Sequence, residues 1–89
     1  MSEPDPTLDE LRKKVSDTDR AILEAVNVRL ELVTQIKAWK ESHGIGFLDP
    51  AREQAMLQEL TAANSGPLSE QGVRELLAAI LDLTKRQVA

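Results

Sequence analysis

Between Pro6 and Gly44 the chain contains neither glycine nor proline, and this uninterrupted stretch constrains the fold more than any other feature. Within it Leu8, Leu11, Val15, Ile22, Val26, Val33 and Ile36 recur at three- and four-residue intervals, the period that puts side chains on one face of an α-helix. The spacing predicts one amphipathic helix over about residues 8–43. At 1.5 Å per residue, about 35 residues span about 50 Å, whereas a compact chain of this length has a radius of gyration near ~12 Å. Such a helix outruns its own fold and has to find partner surface elsewhere. With 89 residues the chain forms one domain, 1–89, whose core is thin if it stands alone, and oligomerisation is the expected remedy.

GIGFLD at 44–49 breaks the helix, with Gly44 placed to stop it and His43 in the last turn, where a cation is favoured. Asp49 followed by Pro50 then opens a second helix: the carboxylate caps free N–H groups, and proline suits the first helical position. That helix is expected over about 50–63 with Met56, Leu57 and Leu60 inward, and ANSGP at 63–67 is a turn. Ser69 caps a third helix, about 69–87, along which Val73, Leu76, Leu77, Ile80, Leu81 and Thr84 form an apolar stripe. The expected fold class is all-α: three helices, one very long and two short, with residues 1–7 frayed.

Composition narrows the function. A net charge of −4 and only Phe47 and Trp39 as aromatics leave no basic face and little to stack bases on, so no nucleic-acid partner is expected. There is no cysteine, and His43 alone cannot make a zinc site, so no metal is expected. The apolar run LLAAIL at 76–81 is too short to span a bilayer, and MSEPDPT has neither the basic start nor the apolar core of a signal peptide. A soluble, cytoplasmic chain without membrane partners is the expectation.

Several charges sit on the wrong faces. In heptads the seam of the long helix reads Leu8, Leu11, Val15, Thr18, Ile22, Ala25, Arg29, Leu32, Ile36 and Trp39, which puts Arg29 on the apolar seam. Its head either snorkels to water, meets an internal acid or binds a ligand. Residues 29, 33, 36 and 40 share a face, so Lys40 points the same way as Arg29, about 16 Å along the axis, a spacing from which two long cationic side chains can grip one small anion. Arg12 lies about 25 Å from Arg29 on the same helix and cannot share a ligand with it there. If two such helices cross antiparallel near Ile22 and Leu23, however, Arg12 of one falls between Arg29 and Lys40 of the other. Arg52 is a cation in the first turn of the second helix, where the helix dipole disfavours it unless an anion lies nearby, and Glu53 beside it offers an acceptor for a hydroxyl.

The stretches LRKKVSDTDRAILEAVNVRLELVTQIKAWK and FLDPAREQAML resemble the all-α class of chorismate mutase, a homodimer of intertwined three-helix chains. The likeness covers essentially Leu8 to Gln87. It rests on the leading LR, a central aspartate at Asp19, the R-x-E-L pattern from Arg29, the closing Lys40, and a D-x-x-RE signature at Asp49, Arg52 and Glu53, all at family spacing without a gap. The resemblance implies that Arg29 and the partner chain's Arg12 clamp carboxylates and that Lys40 donates to the ether oxygen. It implies further that Arg52 and Thr84 support a carboxylate, and that Asp49 and Glu53 hold the ring hydroxyl. The third helix departs from the family pattern: the glutamine expected four positions after Thr84 is Val88, and Gln87 comes one residue early, about 100° away around the helix. Gln87 replaces the missing donor only if the last turn shifts.

The implied reaction is the Claisen rearrangement of chorismate to prephenate, a unimolecular step needing no nucleophile, metal or cofactor, catalysed by holding the dianion compact and placing Lys40 where negative charge develops. An isochorismate pyruvate-lyase and an amino-chorismate mutase resemble the same fold and clamp. From another class, a noncatalytic helical dimerisation or regulatory module, with an aromatic-pathway enzyme as its partner, is the reading that Val88 favours.

Overall fold

The computed structural model describes residues 6–88, which form three helices: α1 (Pro6–Ser42), α2 (Pro50–Ala63) and α3 (Glu70–Val88). Helix α1 starts at Pro6, so Pro6 and Thr7 are helical rather than part of a frayed end; the rest of that expectation, residues 1–5, falls outside the described residues. α3 is set one residue later than expected at both ends, because Ser69 stays outside the helix as its cap and Val88 is still in helical register.

The ends are made by the local chemistry. At the close of α1, Gly44 takes φ +68°, the Ile45 N–H donates to the Lys40 carbonyl at 2.8 Å and the Gly44 N–H to the Glu41 carbonyl at 3.3 Å. This paired pattern satisfies the last free carbonyls and turns the chain through a conformation that a β-carbon disfavours. Asp49 accepts from the Arg52 N–H at 3.0 Å to cap α2, with Pro50 in its first turn, and Ser69 Oγ accepts from the Gly72 N–H at 2.9 Å to cap α3. Asn64 fastens the turn between α2 and α3, its amide donating to the Leu68 carbonyl at 2.7 Å and its side-chain oxygen accepting from the Gly66 N–H at 3.2 Å.

Helix α3 lies against both α1 and α2, whereas α1 and α2 have no close backbone contact. The core therefore sits on one face of α3, where Val73, Leu77, Thr84 and Val88 are the buried residues. Leu60 and Leu76, expected inward, remain exposed along an apolar groove between α2 and α3. The molecule measures 67 × 24 × 17 Å with a radius of gyration of 17.8 Å, well beyond the ~12 Å of a compact chain of this length, because α1 projects past the other two helices. Its seam residues Leu8, Leu11, Val15, Ile22, Leu32, Ile36 and Trp39 are all exposed. No helix among the described residues is long and apolar enough to cross a membrane.

Candidate active site

Because the α1 and α2 backbones stay apart, a gap remains between them, and Leu81, Thr84 and Lys85 from the C-terminal half of α3 line it. The resulting cavity, about 290 Å³, has apolar walls from Leu32, Val33, Ile36, Phe47, Leu48, Met56 and Leu81. Into it come Arg29 and Lys40 from α1, Asp49, Arg52 and Glu53 from the start of α2, and Thr84 and Lys85 from α3. Four cations against two carboxylates leave two net positive charges on the lining of a chain whose overall charge is −4. That local reversal attracts a small anion to a surface that otherwise repels one.

Each polar group is held differently. Arg29 Nη1 donates to Thr84 Oγ1 at 2.7 Å, and the Thr84 hydroxyl donates in turn to the Ile80 carbonyl at 2.7 Å. A threonine hydroxyl has one proton, so in this state Thr84 acts on the cavity by orienting the Arg29 guanidinium rather than by donating into it. Burial to 5% exposure makes that link rigid. Arg29 keeps further N–H donors for a ligand. Lys40 Nζ donates to the Phe47 carbonyl at 3.3 Å, which pins the 43–49 loop and leaves two further ammonium protons on a residue that lines the cavity. Asp49 is committed to the cap. The Arg52 side chain, a cation at the N-terminal end of α2, has no ion-pair partner among the described residues.

Three residues expected at the site lie outside the cavity lining. Arg12 is exposed near the start of α1, far along the helix from Arg29. Gln87 is exposed, and Val88 takes the inward position four residues after Thr84. The last turn of α3 neither shifts nor unwinds, because the Val88 side chain is buried and its carbonyl accepts from Lys37 Nζ at 3.0 Å. The condition under which Gln87 would replace the missing donor, a shifted last turn, is not met in this state, and helical geometry holds Gln87 about 100° away. Conversely, Lys37 and Lys85 carry structure that the spacing did not reveal. Lys37 sits one residue off the heptad seam, and Lys85 one residue past Thr84, both on positions that read as solvent-facing.

Fold and cavity together define an all-α protein with a cationic site sized for a small organic anion. Residues 11–88 match the family described as chorismate mutase type II, and the chain belongs to that family. Two solved structures from Thermus thermophilus are similar to it. Chorismate mutase form I has 35% identity, covers 88% of this chain and 98% of that one, and has a TM-score of 0.85. Form II has 38% identity, covers 91% of this chain and 97% of that one, and has a TM-score of 0.82. The T-protein of Haemophilus influenzae is 41% identical over 51 residues, which is 57% of this chain but only 14% of that relative's length.

Proposed function

We propose that this chain is a chorismate mutase that converts chorismate to prephenate. The observation that carries the reading is the convergence of Arg29, Lys40 and Arg52, with Glu53 as a hydroxyl acceptor, on one small apolar-walled cavity with a net positive lining. The arginines hold the two carboxylates of the dianion, which folds the enolpyruvyl side chain over the ring and supplies the reactive geometry in advance. As the ether C–O bond breaks and the new C–C bond forms, negative charge grows on the ether oxygen, and the Lys40 ammonium stabilises it. Glu53 anchors the ring hydroxyl and takes no proton.

The acting species on this reading is a cytoplasmic homodimer. A folded monomer of 9.8 kDa exposes about 5,200 Å² by the usual scaling with mass, whereas this chain exposes 7269 Å², an excess of roughly 2,000 Å². That is the size of surface that obligate partners bury. Leu32 and Ile36 are at once cavity wall and exposed seam, so the cavity is open on the side where an antiparallel partner helix would bring Arg12. Sedimentation at micromolar concentration should give twice the chain mass; a stable folded monomer would remove the shared site.

Turnover of purified chain tests the reaction, with prephenate from chorismate as the expected product. Salicylate and pyruvate from isochorismate would assign a pyruvate-lyase instead, and no turnover of either would leave a binding module. The ether oxygen has one donor, Lys40, on this reading. Gln87→Ala should then change turnover by less than about 2-fold, because the side chain faces solvent. Val88→Gln restores a donor at the inward position and should raise kcat by about 10-fold or more if its amide reaches the cavity, as a preorganised hydrogen bond to developing charge does. A large loss in Gln87→Ala would mean that the last turn rearranges on binding.

A further inference from the structure

Lys85 Nζ lies 3.3 Å from Glu53 Oε1, an ion pair that joins α3 to α2, with the two side chains 48% and 33% exposed. Both line the cavity. We infer that Lys85 is a positioning residue for substrate recognition: it fixes the Glu53 carboxylate for the ring hydroxyl and cancels that carboxylate's repulsion of the incoming dianion. The inference rests on the chorismate reading above. Two features of the structure support it. First, Lys85 engages one carboxylate oxygen, which restrains the Glu53 rotamer and leaves Oε2 available as an acceptor on a residue that lines the cavity. A glutamate tethered in this way loses less side-chain freedom when the hydroxyl binds. Second, the charge count depends on it. With Lys85 the lining carries two net positive charges, matching a dianion; without it the lining carries one, and an unpaired carboxylate stands beside two substrate carboxylates. The other lining acid, Asp49, is already engaged by the Arg52 N–H at the N-terminal end of α2, where the helix dipole favours its charge. Glu53 has only Lys85 as an ion-pair partner among the described residues.

The effect should appear in binding rather than in the chemical step, since neither Glu53 nor Lys85 meets the charge that develops at the ether oxygen. In Lys85→Met, with its stem retained, KM for chorismate should rise about 5- to 20-fold while kcat stays within about 3-fold, the size of a half-screened charged contact. The rise should shrink as ionic strength increases. Lys85→Arg keeps a cation within reach of Glu53 and should restore KM to within about 2-fold. In a Glu53→Gln background, where there is no carboxylate to orient or neutralise, Lys85→Met should raise KM several-fold less than it does alone. Prephenate binding by calorimetry should follow the KM pattern. A Lys85→Met enzyme with unchanged KM and prephenate affinity, or one equally impaired with and without the Glu53 carboxylate, overturns the inference while chorismate turnover by the unaltered chain leaves the functional reading standing. An unaltered chain that neither turns over chorismate nor binds prephenate removes both.

Discussion

Replacing Lys40 by alanine is expected to lower kcat for chorismate about 10²- to 10³-fold, the usual consequence of removing one donor aimed at developing negative charge. The contact strengthens in the transition state, so prephenate, bound mainly through the arginines, should lose less than about 10-fold in affinity. Lys40 has a second task, because its ammonium also holds the Phe47 carbonyl that shapes the 43–49 loop. A merely structural lysine would give a different pattern, with a lower melting temperature, weaker prephenate binding and kcat nearly intact. Measuring kcat, prephenate affinity and thermal stability on the same variant separates the two. Near-normal turnover would return Lys40 to the status of a helix-end cation.

The second large effect lies between chains. Arg12→Ala and Arg29→Ala homodimers should each lose about 10²-fold or more in kcat/KM, since each site of the proposed dimer would lack one carboxylate clamp. Mixed and allowed to exchange, half of the dimers become hybrids, and each hybrid contains one site with Arg29 from one subunit and Arg12 from the other. Activity should recover to about a quarter of that of the unaltered protein, because one site in two is whole in half of the dimers. Hybrids verified by mass with no recovered activity would show that Arg12 does not serve the neighbouring site. The Arg29 variant should also lose stability, as its guanidinium holds the buried Thr84 hydroxyl at 2.7 Å.

Most of the architecture was legible because it is local. The glycine- and proline-free run, Gly44, the Asp49–Pro50 pair and Ser69 act within one or two turns of themselves, and three helices with these caps follow from backbone sterics and hydrogen bonding. The same helical geometry puts Arg29, Val33, Ile36 and Lys40 on one stripe without reference to the rest of the chain, and all four line the cavity. Arg52 was legible as a cation that its own helix end disfavours, and among the described residues its side chain has no ion-pair partner.

What spacing alone left open were the partners of these charges. Arg29 meets Thr84 across 55 residues and Lys37 meets the Val88 carbonyl across 51, pairings that exist only once α3 has docked on α1. Lys85 joins Glu53 for the same reason, since the angle at which α3 crosses α2 decides which side of α3 reaches the cavity. Val73, Leu77 and Val88 are the buried apolar residues of α3, and it is the packing of such side chains, not charge, that sets how helices cross. Tertiary structure also decided between Gln87 and Val88. A helix end has the freedom to fray or rewind, and burial of the Val88 side chain together with the Lys37 bond to its carbonyl removes that freedom. The sequence by itself thus determined the helices, their ends and the stripe of cations on α1, because these depend on neighbours within a few residues. Only the docked helices decided which side chains hold one another, because a contact between distant segments depends on a packing geometry that no local spacing encodes.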